Sequence, residues 1–154
     1  MQIHASCAAR TGEAVLVLGP SGSGKSDLIL RLIDRGFELV ADDRVDIENG
    51  LARPPHALAG MLEVRGLGLI RLPYRAPARV RLAVELSGGT DRLPQPARHD
   101  VLDVPLIRLD PFHASAPQRV ELALDCALGR LAMAAGALEA APAYGVMLPP
   151  AGLQ

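Results

Sequence analysis

Apolar and polar positions in the first quarter of the chain predict strand, strand, helix and strand. Residues 1–9 alternate apolar with polar side chains, typical of a strand, and Thr11–Glu13 forms the turn that ends it. Residues 14–18 are continuously apolar, which favours a strand covered on both faces. Residues 25–35 repeat apolar side chains at helical spacing, and residues 37–41 are again apolar. This order predicts an α/β domain.

The predicted helix has one apolar stripe, and a glycine follows it. Leu28, Ile29, Leu32 and Ile33 share one side, and Gly36 stands where a helix of this length should end. A strand, a helix and a parallel strand form a right-handed crossover unit. We therefore expect the strand at 37–41 to lie beside the strand at 14–18.

Later segments predict more strands and one further helix. Asn49-Gly50 between apolar positions is typical of a small antiparallel hairpin. Strands are predicted at four places: 62–64, 69–70, 80–86 and 106–109. Pro117, with Ser115 as a cap, predicts a helix reaching about Ala135. Its buried stripe would be Val120, Leu124, Leu128 and Leu131.

Composition narrows the class of protein. The 154 residues suit one compact domain, and 49% hydrophobic residues suffice for a core. The net charge of -1 and the lack of tryptophan argue against nucleic acid as a ligand, and no apolar run is long enough to span a membrane. Cys7 and Cys126 are isolated thiols, and the N-terminus has no signal-peptide pattern, so we expect a cytoplasmic protein.

A phosphate-binding loop follows the apolar strand at 14–18. Its residues fit GxxxxGK[ST] and stand directly before the amphipathic helix: Gly19, Pro20, Ser21, Gly22, Ser23, Gly24, Lys25 and Ser26. Glycines let successive backbone amides converge on phosphate, and the helix N-terminus adds partial positive charge. Lys25 would supply a full charge and Ser26 a ligand for Mg²⁺. The alternative is a glycine-rich turn that only closes a strand.

Asp42 and Asp43 follow the strand at 37–41. We expect them at the carboxyl edge of the sheet, where open α/β folds bind ligands. Successive strand residues point in opposite directions, so both can serve one site only if the strand has ended or their tasks differ. One carboxylate would be a general base and the other would hold Mg²⁺ or its water. The alternative is a solvated acidic turn with Arg44.

Together these residues resemble the catalytic domain of HPr kinase/phosphorylase. The resemblance rests on His4, the phosphate-binding loop, the segment Leu39–Asp43 and the segment Leu62–Gly68, and spans roughly residues 2–135. It implies a P-loop kinase domain similar to phosphoenolpyruvate carboxykinase, a mixed sheet with a small antiparallel hairpin, and a C-terminal helix. It further implies ATP and Mg²⁺ as cofactors, the phosphocarrier HPr or a paralogue as partner, and a homo-oligomer, typically a hexamer.

The resemblance also assigns roles to individual residues. It makes Asp42 the general base toward the serine hydroxyl, with Asp43 supporting the metal site alongside Ser26. Glu63 matches a second Mg²⁺ ligand, whereas without the family it is only a polar residue beside a glycine-rich turn.

Two residues outside these segments complete the implied site. Arg92 matches an active-site arginine suited to charge on the transferring phosphoryl group. His4 matches a catalytic-site histidine and, if its strand pairs with the strand at 14–18, would reach the edge of the site. By themselves they are a surface arginine and a packed or solvated histidine.

The chain departs from the family pattern at both ends. It begins three residues before His4, so we expect a short form without the module that usually precedes the catalytic domain. Residues 108–116 lack the Gly-Arg-Asn sequence that the family associates with dephosphorylation. For this chain we therefore expect the kinase reaction of the family and not the reverse reaction. We expect the catalytic domain at 1–136, followed by a loosely held Ala- and Pro-rich tail at 137–154.

The sequence thus predicts a serine kinase acting on HPr by direct in-line transfer. Two alternatives use the same loop. One is a small-metabolite kinase or nucleoside triphosphatase, and the other is a nucleotide-binding regulatory scaffold with little turnover.

Overall fold

A computed structural model describes residues 1–89 and 91–140 of the chain. These residues form a mixed α/β domain with a large mixed sheet, a separate two-stranded sheet and two α-helices, α1 (Lys25–Asp34) and α2 (Ala116–Ala127). The strands are β1 (Gln2–Ile3), β2 (Ala5–Arg10), β3 (Glu13–Leu18), β4 (Glu38–Ala41), β5 (Val45–Glu48), β6 (Leu51–Arg53), β7 (Met61–Val64), β8 (Gly68–Arg71), β9 (Ala78–Leu86) and β10 (Leu106–Leu109).

The large sheet places four parallel strand ends at one edge. Its order is β1-β5-β6-β9-β3-β2-β4, and β10 pairs with β9. Strand β9 is parallel to both β3 and β10, whereas β2 is antiparallel to both β3 and β4. Strands β3, β4, β9 and β10 therefore run in one direction, and the segments that follow them meet at the same edge.

One expectation about this sheet is wrong. Strand β4 does not lie beside β3, because β2 is inserted between them and pairs with both. The tight turn at Thr11 and Gly12, both with positive φ, folds β2 back onto β3. Helix α1 therefore carries the chain across two strand positions, which still brings the end of β4 to the edge where β3 ends.

The predicted first strand divides in two at His4. Strand β1 pairs with β5, whereas β2 pairs with β3 and β4. Apart from Arg10 at its end, β2 is buried rather than alternating between buried and exposed, and its Ser6 is a fully buried polar residue.

The predicted hairpin, strands and first helix are confirmed. Strands β5 and β6 form the hairpin, with Asn49 and Gly50 at φ 53° and 77° in its turn. Strands β7 and β8 pair with each other and with no other described strand. Helix α1 has the predicted extent, and Gly36 follows it in the left-handed conformation at φ 97°.

The second helix is shorter than predicted. It ends at Ala127 rather than about Ala135, because Gly129 takes the left-handed conformation at φ 76° and stops it. Ser115 does precede the helix, but its hydroxyl interacts with His113 and Arg119. The apolar periodicity continues past this stop, since Leu128 packs against the core without being helical.

Two apolar clusters cover the faces of the large sheet. One joins β3 and β9 to the helices, with Leu28, Leu32, Val120 and Leu124 fully buried. The other joins β2 and β3 to the β5–β6 hairpin. Leu138 is also buried in the first cluster, whereas most of the predicted tail at 137–154 lies outside the described residues. The domain boundary at residue 136 stays a prediction.

Neither described helix combines the length and apolarity that crossing a bilayer would require.

Candidate active site

The loop between β3 and α1 has the backbone geometry of a phosphate cradle. Gly24 caps α1 in the left-handed conformation, with φ 99° and ψ 17°, so the amides of the first helical turn face the loop. A Cβ on Gly19 would lie 2.6 Å from the Ser23 hydroxyl, so the turn cannot close around a larger residue. Among the described residues, that buried Ser23 hydroxyl has no hydrogen-bond partner. These features suit a group rich in acceptor oxygens.

Lys25 is folded against this loop. Its Nζ donates hydrogen bonds to the carbonyl oxygens of Gly19, at 2.7 Å, and Pro20, at 2.9 Å. The residue is only 7% exposed. Loss of solvation lowers the pKa of the Lys25 ammonium, and the negative charges of Asp43 and Asp42 act in the opposite direction.

Asp42 connects the loop to three other parts of the fold. Its Oδ1 accepts hydrogen bonds from the hydroxyls of Ser26 and Ser6, both at 2.7 Å. Its Oδ2 accepts a hydrogen bond from the backbone amide of Glu63 at 3.2 Å. With 9% exposure and three donors, this carboxylate fixes the side chain of Ser26 relative to β4 and β7.

Asp43 has a different environment. The backbone leaves the strand here, since Asp43 adopts a left-handed φ of 69°, rare for a residue with a Cβ. Its Oδ1 lies 2.8 Å from Nε2 of His4, and 61% of the side chain is exposed. Because β4 has already ended, both carboxylates reach the same cavity, which meets the condition set by the sequence.

These groups line one open cavity of about 610 Å³. Its walls are the loop, the start of α1, the start of β2, the residues that follow β4, the β7–β8 hairpin and Phe112. Gly22, Lys25, Ser26, Asp42 and Asp43 all contribute, and so does the exposed Glu63. The structure therefore brings these predicted site residues together, with His4 at the rim through its contact to Asp43.

The donor set suits Mg²⁺ held jointly with phosphate. Ser26, Asp42, Asp43 and Glu63 offer only oxygen ligands. Within residues 1–89 and 91–140, no three His, Cys, Asp or Glu side chains form a ready cluster for a metal ion. Mg²⁺ is usually bound by one or two carboxylates plus substrate phosphates, so these residues fit such an ion without a protein-only cage.

The structure does not bring Arg92 to this cavity. Arg92 is exposed in the connection between β9 and β10 and is not among the described lining residues. The neighbouring Gly89 and Asp91 instead line a second cavity together with Arg108 of β10. The chain turns toward β10 after β9, and that course carries Arg92 away from the loop.

Two cavity residues were missed by sequence reasoning. Ser6 is one polar position of the alternating pattern at residues 1–9, and the available signal is that it stands among small apolar residues. Phe112 lies within residues 108–116, the segment that departs from the family pattern. It lines the cavity and is 76% exposed, and the exposure of an aromatic side chain could not be read from the sequence.

Comparison with known proteins identifies what the chain is similar to. Residues 1–75 match the family model of the HPr Serine kinase C-terminal domain. HPr kinase/phosphorylase of Clostridium novyi is 52% identical over 66 residues, 40% of this chain and 22% of that protein. HPr kinase/phosphorylase of Cupriavidus necator is 41% identical over 115 residues, 62% of this chain and 35% of that protein. The chain thus spans between about a fifth and a third of the length of these curated relatives.

A solved structure shows the same fold. The Hpr(Ser) kinase/phosphatase from Coxiella burnetii matches with a TM-score of 0.67 and 28% identity, covering 79% of this chain and 92% of that chain. The resemblance to HPr kinase/phosphorylase and the predicted mixed α/β fold are therefore confirmed.

Proposed function

We propose that this chain, which resembles the C-terminal domain of HPr kinases, is an ATP- and Mg²⁺-dependent kinase that phosphorylates a serine of HPr or of a paralogous carrier. The observation that carries the proposal is the shared cavity of Lys25, Ser26, Asp42 and Asp43. A phosphate cradle with an open carboxylate beside it suits transfer to an incoming hydroxyl. HPr is proposed as the acceptor because the relatives are HPr kinases.

The loop would hold the triphosphate. Backbone amides at the start of α1 and the Ser23 hydroxyl would donate to phosphate oxygens, and Lys25 would exchange its carbonyl partners for them. Ser26 and Glu63 would hold Mg²⁺, with Asp42 orienting Ser26. When bound, Mg²⁺ neutralises charge that develops on the phosphate oxygens.

The roles proposed here for the two aspartates are the opposite of those that the family resemblance implies. Asp42 accepts three hydrogen bonds and is nearly buried, so it has little capacity left for an acceptor proton. Asp43 is open to the cavity, and Nε2–H of His4 donates to one of its two oxygens. The other oxygen, Oδ2, accepts no hydrogen bond among the described residues and lies 3.9 Å from Nε of Arg44, so a hydroxyl can still approach it. We therefore assign Asp43 as general base, His4 as the residue that orients it, and Asp42 as the residue that positions the metal site.

Transfer would then be direct. As the serine oxygen bonds to the γ-phosphorus, the bond from that phosphorus to the bridging oxygen breaks, and the serine proton passes to Asp43. ADP carries away the bridging oxygen, so no covalent enzyme intermediate is required.

The test is to incubate the chain with Mg²⁺, γ-labelled ATP and HPr. We expect label on HPr and one phosphoserine located by mass spectrometry. Label only in free phosphate would favour a nucleoside triphosphatase, and label on a metabolite mixture but not on HPr would favour a small-metabolite kinase. Lys25→Ala serves as the inactive control, because it removes the full positive charge of the cradle.

A further inference from the structure

The turn after β10 forms one wall of the phosphate cradle. Phe112 donates its backbone N–H to the Asp110 carboxylate at 2.9 Å, which closes the turn. Arg31 of α1 donates a hydrogen bond from Nη2 to the carbonyl oxygen of Pro111. A Cβ on Gly24 would lie 3.4 Å from Cγ of Pro111 and 3.6 Å from Cζ of Phe112. The turn is therefore held against the residue that caps α1.

The ring of Phe112 is left in the open cavity. Phe112 is 76% exposed, whereas the other phenylalanine of the chain, Phe37, is 3% exposed in the core. Burial of a phenyl ring is favourable, so a ring on a fixed backbone beside a binding cavity offers unused apolar surface to a ligand. The core does not use this ring.

Sheet order places Phe112 and the acidic pair on opposite sides of the loop. Strand β4, which ends at Asp42 and Asp43, is two strands from β3 on one side, with β2 between. Strand β10, which leads into Phe112, is two strands from β3 on the other side, with β9 between. Neighbouring strands are about 4.8 Å apart, so each flank lies roughly 10 Å from the loop strand.

We propose that Phe112 stacks on the base of the bound nucleotide. The inference rests on the proposed function: with the reactive phosphate turned toward the acidic pair, the nucleoside end of an extended triphosphate points toward the β10 flank. An exposed phenyl ring there matches the flat, apolar face of a base. Loop and lysine would hold the phosphates, while Phe112 would distinguish a nucleotide from an inorganic polyphosphate.

The test compares two ligands that differ only in the nucleoside. Binding of Mg-ATP and of Mg-tripolyphosphate is measured by calorimetry on the full chain, as wild type, Phe112→Ala, Phe112→Tyr and the control Leu122→Ala. Leu122 is 56% exposed on α2 and does not line the cavity among the described residues. We expect Phe112→Ala to weaken Mg-ATP by roughly 10- to 100-fold and Mg-tripolyphosphate by less than about 2-fold. Phe112→Tyr, which keeps a ring, should restore ATP affinity.

Other outcomes would overturn the inference in distinguishable ways. Equal weakening of both ligands by Phe112→Ala would make the ring a structural support of the loop. Unchanged binding of both, with a raised KM for the protein acceptor, would assign the ring to that acceptor. If the wild-type chain binds tripolyphosphate as tightly as ATP, the contact with the base is rejected, whereas the phosphate site is supported. If the wild-type chain binds neither ligand, the proposed function itself is rejected.

Discussion

The two flanks of the phosphate-binding loop are built in different ways. On the β4 flank, hydrogen bonds between side chains fix the polar groups: Ser6 and Ser26 on Asp42, and His4 on Asp43. On the β10 flank, Arg31 holds a backbone carbonyl, and the only side chain presented by Asp110–Phe112 to the cavity is an apolar ring. Both flanks stand at the same sheet edge, two strands from β3.

The difference indicates a division between reaction and recognition. Charged groups that move a proton must be held to within about 0.5 Å, which a network of hydrogen-bond donors achieves. An aromatic contact tolerates more displacement, since the ring centroids of favourable aromatic pairs lie anywhere from about 4.5 to 7 Å apart. Substitutions on the β4 flank should therefore change phosphoryl transfer, whereas substitutions on the β10 flank should change affinity for the nucleotide.

The largest effect is expected from Asp43→Asn. The amide cannot accept the serine proton, so transfer to HPr should fall about 1,000-fold, while Mg-ATP binding and unfolding free energy change little. Radiolabel transfer and calorimetry measure the two quantities. Asp46→Asn, on β5, is the matched control and should retain activity. Near-normal transfer by Asp43→Asn would contradict the assignment of the base.

Asp42→Asn should act first on stability. The asparagine NH₂ group would replace one of the two oxygens that now accept hydrogen bonds from Ser6, Ser26 and the backbone amide of Glu63. At least one buried donor would then lose its acceptor, at a cost of roughly 1–3 kcal/mol. Urea unfolding measures this loss, which should exceed that of Asp43→Asn. If Asp42→Asn instead keeps full stability and abolishes transfer, the two aspartates have the roles that the family resemblance assigned.

The strand beneath the acidic flank should show a pH-dependent loss of stability. Burial raises the pKa of the Cys7 thiol from 9.0 to about 12. A raised folded-state pKa gives stability that is complete below pH 9 and lost as pH rises toward 12, because only the unfolded state ionises in that window. At pH 10 wild type should have lost about 1.4 kcal/mol relative to pH 8, and Cys7→Ala should lack this contribution. If the free energy of unfolding falls equally in wild type and in Cys7→Ala across this range, the Cys7 thiol is not shielded from solvent.

The smallest effect is expected from Arg31→Met. The substitution keeps an apolar stem and removes both the hydrogen bond to Pro111 and the ion pair with Asp27, so the Phe112 turn loosens. Affinity for Mg-ATP should fall about 5-fold with tripolyphosphate binding unchanged. Arg35→Met, which removes an ion pair with Glu121 away from the cavity, is the control. Loss of tripolyphosphate binding in Arg31→Met would show that the arginine supports the loop rather than the ring.

Local signals were sufficient where short-range rules govern the backbone. The loop at residues 19–26, helix α1 and the Asn49-Gly50 hairpin follow from glycine positions and apolar spacing. The end of α2 did not follow, because the apolar repeat continues through Leu128 and Gly129 alone marks the stop. The position of Arg92 did not follow either, since the course of a long connection depends on what it packs against.

By itself, then, the sequence determined the phosphate cradle, the acidic pair at a strand end and the family they resemble, because each depends on neighbouring residues and on fixed backbone preferences. Only the tertiary structure decided that β2 separates β3 from β4, that Ser6 supports Asp42, that Asp43 is the open carboxylate, and that Phe112 faces the cavity. Apart from the local β2–β3 pairing, these features depend on contacts between residues far apart in the chain, from Ala9 with Glu38 to Gly24 with Phe112. Such contacts form only when the sheet assembles, and no local pattern records them.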